Sequence, residues 1–155
     1  MNLNIYGVII SILFIIFNII PKAIKPKRRI KHLKHNQALN IKFISESGII
    51  VFGLVTISGV GYHKINNVTT VIWLILFFFL IILILLLNLR YLIKRNEECL
   101  YNKFICPIPY SISYSSFIFI SSILLFNPIV LGFNIAYAIS YIYLDLKGRS
   151  EVFYE

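Results

Sequence analysis

Charge is what this 155-residue chain has least of, and acidic charge above all: six Asp and Glu face fifteen Lys and Arg, and charged residues make up 14%. A soluble domain of this size carries about a quarter charged residues, so the composition argues against a water-facing globule. Cysteine is scarce too. Cys99 and Cys106 are too few for a disulfide-stapled scaffold. Motifs for nucleotide or hydrolytic chemistry are missing: there is no P-loop, no Rossmann glycine fingerprint, no HExxH and no GxSxG. No catalytic residue, cofactor or resident metal is expected on that ground. The first apolar stretch has no Lys or Arg ahead of it and is followed by Pro21-Lys22 rather than small residues, unlike a cleaved secretory signal.

What is present instead is apolar. Hydrophobic residues are 59% of the chain. Residues 68–89 read VTTVIWLILFFFLIILILLLNL. As a helix this stretch reaches about 33 Å, enough to cross a hydrocarbon core of about 30 Å. Apolar on every face, it wants lipid or other membrane helices around it. The pattern predicts an all-α fold, a polytopic integral membrane helical bundle of five transmembrane helices at 3–20, 43–62, 68–89, 109–126 and 129–144.

Four spans is the alternative, because 108–144 is one apolar region. Unbroken, it would reach about 55 Å, too long even with tilt. Asn127-Pro128 near its middle is the reason to divide it, although proline often only kinks a membrane helix. The short connection 62–67 predicts an antiparallel hairpin of spans two and three.

Cations set the orientation. Segment 21–42 holds eight of them and no acid, loop 90–107 holds four, and the tail 145–155 holds two. Five spans put these 14 of 15 on one side and leave Lys64 alone on the other. The positive-inside rule then makes both loops and the tail cytoplasmic and the N-terminus external, in a membrane of the bacterial cytoplasmic type. Lys25, Lys27, Arg28, Arg29, Lys31 and Lys34 are expected to meet anionic head groups, at roughly 1 kcal/mol each. No aromatic residues are interleaved there for base stacking, so nucleic acid is not an expected partner.

Gly53 and Gly59 in the second span suit close backbone approach, as do Gly132, Ala136 and Ser140 at every fourth residue of the fifth. Packing within the chain is the first expectation for that stripe, and a dimer face the second. Asn134 is placed to hydrogen-bond to another helix, and the serines of 111–122 to supply further interhelical bonds. Glu46 is a functional candidate because a membrane-embedded acid is expensive. The plainer expectation is an acid in the first turn of its helix, with Ser45 capping and Lys42 or Arg90 neutralising it.

His32, His35, Cys99 and Cys106 share the inner side, as a zinc site or a thiolate nucleophile would require. The Cys99-x6-Cys106 spacing is wide for zinc, and the histidines stand among cations. The expected function is therefore non-enzymatic: an accessory, assembly or immunity-type subunit acting through helix contacts. Its partners would be a bilayer with anionic head groups and another membrane protein or a second copy. The alternative is a small oligomeric transporter or channel lined by Glu46, Asn134 and the serines. A membrane-embedded enzyme using Cys99 or Cys106 comes third.

Overall fold

In the computed structural model, residues 5–24, 37–56, 68–100, 102, 104, 109–125 and 127–153 are described. They form five α-helices: α1 (Ile5–Ala23), α2 (Gln37–Thr56), α3 (Val68–Lys94), α4 (Pro109–Leu124) and α5 (Pro128–Phe153). A single 3-10 turn, Glu97–Leu100, follows α3. Among the described residues there is no β-strand, and the chain is all-α. Val68–Lys94 and Pro128–Ser150 are long and apolar enough to cross a membrane, whereas Ile5–Ile20 and Tyr110–Leu124 are apolar but shorter.

The helices close into a ring. Each packs on two neighbours, in the order α1, α2, α5, α4, α3 and back to α1. The expected hairpin of the second and third spans is therefore corrected: α2 lies between α1 and α5, and α3 between α1 and α4. The reason is surface shape. On α2, Gly53 lets α5 come so close that an added Cβ would stand 2.8 Å from Val130 Cγ2. The bulky α3 instead sets Phe77 against Phe117 of α4, ring centroids 5.3 Å apart.

Helix ends differ from the apolar runs. α1 continues through Pro21 to Ala23 rather than stopping at the proline. Proline removes the N–H that would bond the Phe17 carbonyl, and helices tolerate the loss where another donor takes over. Here the donor is Tyr114, whose hydroxyl reaches Phe17 O at 2.6 Å. α2 begins at Gln37, well before residue 43, so Glu46 lies in its third turn and not its first. α3 runs past Arg90 to Lys94. It closes with Arg95 at φ 45°, the left-handed conformation of a helix end, its N–H bonded to Tyr91 O at 2.7 Å. α5 runs far beyond Leu144, so most of the expected tail 145–155 is helix.

The division at Asn127-Pro128 produces two helices packed on each other. Asn127 Oδ1 accepts the Val130 N–H at 3.0 Å, and Pro128 stands at the first helical position where its missing N–H costs nothing. The same side chain donates Nδ2 to Gly53 O at 3.2 Å, tying the corner to α2. Asn127→Ala is expected to cost about 1–2 kcal/mol in a thermal melt in detergent, and Asn127→Asp to recover the capping part of that loss. Equal losses for both variants would mean that the Gly53 bond, and not the cap, holds the corner.

Candidate functional site: the polar interior

Inside the ring, polar groups are buried among an apolar core of Ile, Leu and Phe, and many apolar side chains also stand exposed. Ser11, Asn88, Ser111, Ser113, Ser121, Ser122, Asn127, Asn134 and Ser140 are all buried. Outward stand Ile5, Ile12, Ile44, Phe52, Ile75, Phe78, Leu89 and Ile135, among many. At the centre Tyr114, Tyr137 and Phe117 are fully buried. Tyr137 meets Phe14 at 5.8 Å and Phe43 at 4.9 Å between ring centroids, and Tyr114 meets Tyr141 at 6.1 Å. Edge or tilted ring pairs of this kind add about 0.5–1.5 kcal/mol each beyond area burial.

Three tyrosine hydroxyls fasten backbone carbonyls across helices. Tyr114 serves Phe17 O, Tyr110 donates to Leu87 O at 2.8 Å, and Tyr91 donates to Ile24 O at 2.8 Å. The last satisfies a carbonyl at the C-terminal end of α1, where helical partners run out. Asn88 Nδ2 bonds Ile84 O at 3.0 Å and Tyr114 OH at 3.3 Å, so α1, α3 and α4 meet at one phenol.

Between α4 and α5 the polar groups are less complete. Asn134 Nδ2 reaches Ser115 O at 3.2 Å, while Asn134 Oδ1 and Ser115 Oγ have no hydrogen-bond partner. One turn back along α4 and three turns on along α5, Asp145 approaches the Ser111 hydroxyl and N–H in the first turn of α4, a position where the helix dipole favours an anion. Neither Asp145 Oδ2 nor Ser111 Oγ closes a hydrogen bond. The Tyr137 hydroxyl points toward Asn18 without closing one. A buried group without a partner costs about 1–3 kcal/mol, so these are the least satisfied side chains of the interior.

Glu46 is buried at 6% exposure, with Lys42 Nζ 3.7 Å from Oε1 and Oε2 unpartnered. The expected neutralisation by Lys42 is present as an i,i+4 pair, but the capping expectation is corrected. Ser45 donates its hydroxyl back to Lys42 O at 2.7 Å, because the helix has already begun at Gln37 and no free N–H is there to cap.

The small-residue stripe of α5 divides. Ser140 is buried and Ala136 half-buried, while Gly132 is exposed, and an added Cβ there meets nothing within 4 Å. Packing inside the chain therefore does not account for Gly132. Cys99 is a buried free thiol. Its partners in the zinc or nucleophile readings (Cys106, His32 and His35) lie outside the described residues, as do Gly59 and the cations Lys25, Lys27, Arg28, Arg29, Lys31 and Lys34. Arg90 does not face Glu46's helix; its guanidinium stacks on the Phe104 ring at 5.0 Å.

Sequence reading missed the tyrosines and Asp145. A signal for Tyr114 existed in Pro21, which announces an orphan carbonyl at Phe17 without saying what fills it. Asp145 gave none, since nothing local shows that α5 continues past its apolar run. The described residues thus form an all-α arrangement of five helices around an apolar core that also buries tyrosine, serine and asparagine. No family model, curated protein or solved structure matches the chain.

Proposed function

We propose that the chain is a polytopic membrane protein of five spans, with its N-terminus outside. It acts through helix contacts as an accessory, assembly or immunity-type subunit, without chemistry of its own. The observation that carries this reading is the apolar exterior: isoleucine, leucine and phenylalanine stand exposed along the helices as well as filling the core, where serine, asparagine and tyrosine accompany them. Water would penalise that exterior at about 25 cal/mol per Å² of exposed apolar area, whereas lipid removes the penalty. The α4–α5 corner fits the same setting, since Asn127 N–H closes on Ser122 O at 2.9 Å and its side chain is bonded at both ends.

Gly48 and Gly132 support contact with another helix. Both are exposed, with nothing of their own chain within 4 Å of an added Cβ. In lipid, close backbone approach at such positions is what favours association. A tagged chain in mild detergent is expected to recover a membrane partner, and Gly132→Leu to lose it while keeping its own thermal midpoint. Recovery of the same proteins by both chains would defeat the proposal.

The transporter reading has one observation in its favour, the unpartnered oxygens along the α4–α5 seam. Solute flux into vesicles containing the pure chain, abolished by Asn134→Leu, would replace the contact reading with that one.

A further inference from the structure

α5 continues past residue 144, where its apolar run ends. Up to that point it is held by apolar contacts: Tyr141 and Leu144 pack against the core, Tyr141 with its ring centroid 4.9 Å from that of Phe43. Beyond them Leu146 and Ser150 are exposed, and Gly148, although buried, has no side chain to contribute. Asp145 is the residue that turns inward. Its Oδ2 oxygen is closed off from solvent, and so is Oγ of Ser111, a fully buried residue in the first turn of α4. The Ser111 hydroxyl and N–H both approach the carboxyl group, yet Oδ2 and Oγ each lack a hydrogen-bond partner.

An ionised carboxylate is costly in such a place, because it loses its hydration and can only accept hydrogen bonds. A proton remedies both: it removes the charge and gives Oδ2 a hydrogen to donate. Among the described residues no Lys or Arg pairs with Asp145. Of the helices packed on α5, α4 brings the phenols Tyr110 and Tyr114, and α2 brings Lys42 and Glu46, which pair with each other at 3.7 Å. Along α5 itself Tyr137 and Tyr141 precede Asp145, and Lys147 and Arg149 follow it. The balance lies between burial and Ser111. Burial pushes the carboxyl up from 3.8 to about 7, over the opposing pull of the Ser111 hydroxyl and N–H, and no charged neighbour contributes.

We propose that Asp145 and Ser111 form a proton-operated latch between the last turns of α5 and the first turn of α4. Protonated, Asp145 donates to Ser111 Oγ and stays seated. Ionised, it is better hydrated than buried, and the turns beyond Leu144 leave α4. The direction follows from linkage: a group that binds its proton more tightly when seated than when free holds the helix at low pH and loses that hold as pH rises. The loss approaches about tenfold per pH unit between 3.8 and about 7 and is complete above that range. The latch goes beyond the contact reading and does not rest on it, since both residues belong to one chain.

The test uses the full chain in detergent with two readouts. Infrared spectra between about pH 5 and about pH 9 are expected to show a protonated-carboxyl band at the acid end that Asp145→Asn removes, because a free aspartate is already ionised at about pH 5. A nitroxide attached through Ser150→Cys, with Cys99→Ser and Cys106→Ser, is expected to gain mobility as pH rises. Asp145→Asn, uncharged at every pH, is expected to keep that label immobile throughout. Ser111→Ala deletes a hydroxyl that favours the ionised form, so its band is expected to survive to higher pH. Identical acid-end spectra for the native and Asp145→Asn chains overturn the proposal. So does a label that responds to pH equally in both, or a Ser111→Ala chain whose band titrates where the native band does.

Discussion

Gly53→Leu is expected to destabilise the detergent-solubilised chain by about 2–3 kcal/mol, the upper range for overpacking a tight contact. The Cβ alone would stand 2.8 Å from Val130 Cγ2, far inside ordinary van der Waals contact. Val130 cannot give way cheaply, because a β-branched side chain in a helix has one strongly preferred rotamer. It is also buried, so α2 and α5 must separate as bodies. Separation breaks the Asn127 Nδ2 bond to Gly53 O as well. Gly48→Leu and Gly132→Leu are the internal controls, since a Cβ at either position meets nothing within 4 Å. They are expected to hold or slightly raise the thermal midpoint, leucine favouring helix over glycine by up to about 1 kcal/mol. A common shift for all three leucines would show that α2–α5 contact is not what Gly53 provides.

Tyr114→Phe carries the second large effect, expected at about 1–2 kcal/mol. Removing the hydroxyl takes its donor from the Phe17 carbonyl, whose helical donor Pro21 abolishes, and leaves Asn88 Nδ2 with only its bond to Ile84 O. Interhelical bonds in membranes are often worth only about 0.6 kcal/mol, because alternatives are found when they break. Phe17 O has lost its i+4 donor to Pro21, and that is why a larger value is expected here. A double-mutant cycle isolates the point. Pro21→Ala supplies an N–H to Phe17 O, so in that background the cost of Tyr114→Phe should fall by at least about 0.5 kcal/mol. Strict additivity of the two substitutions would remove Pro21 from the explanation.

The sequence made the helices readable and their ends unreadable, for one reason. Apolar runs report the length of chain that favours hydrocarbon, and a helix need not stop where hydrocarbon does. α2 begins among Gln37, Asn40 and Lys42, and α5 continues through Asp145, Lys147 and Arg149. Asn127-Pro128, by contrast, was legible because an N-cap followed by proline is local chemistry. Glu46 stood out as an embedded acid, yet its surroundings were misjudged with the start of its helix. The tyrosine network was out of reach in principle. Tyr114 and Phe17 are 97 positions apart, and no pattern along the chain says which helices share a wall. The same holds for the ring order, which separates α2 from the helix that follows it.

That ring order constrains how the protein is made. α2 leaves the ribosome well before α5, the neighbour that covers Gly53. Until then Gly53 and Phe43, which in the finished fold meet Val130 and Tyr137, lack that cover. Domains emerge N-terminal part first, at about 5–20 residues per second, so this exposure lasts for seconds. A nascent chain halted before Pro128 would display a glycine notch and the Phe43 ring to whatever chaperone or insertase stands nearby, and the arriving α5 acts as the clasp that ends the display.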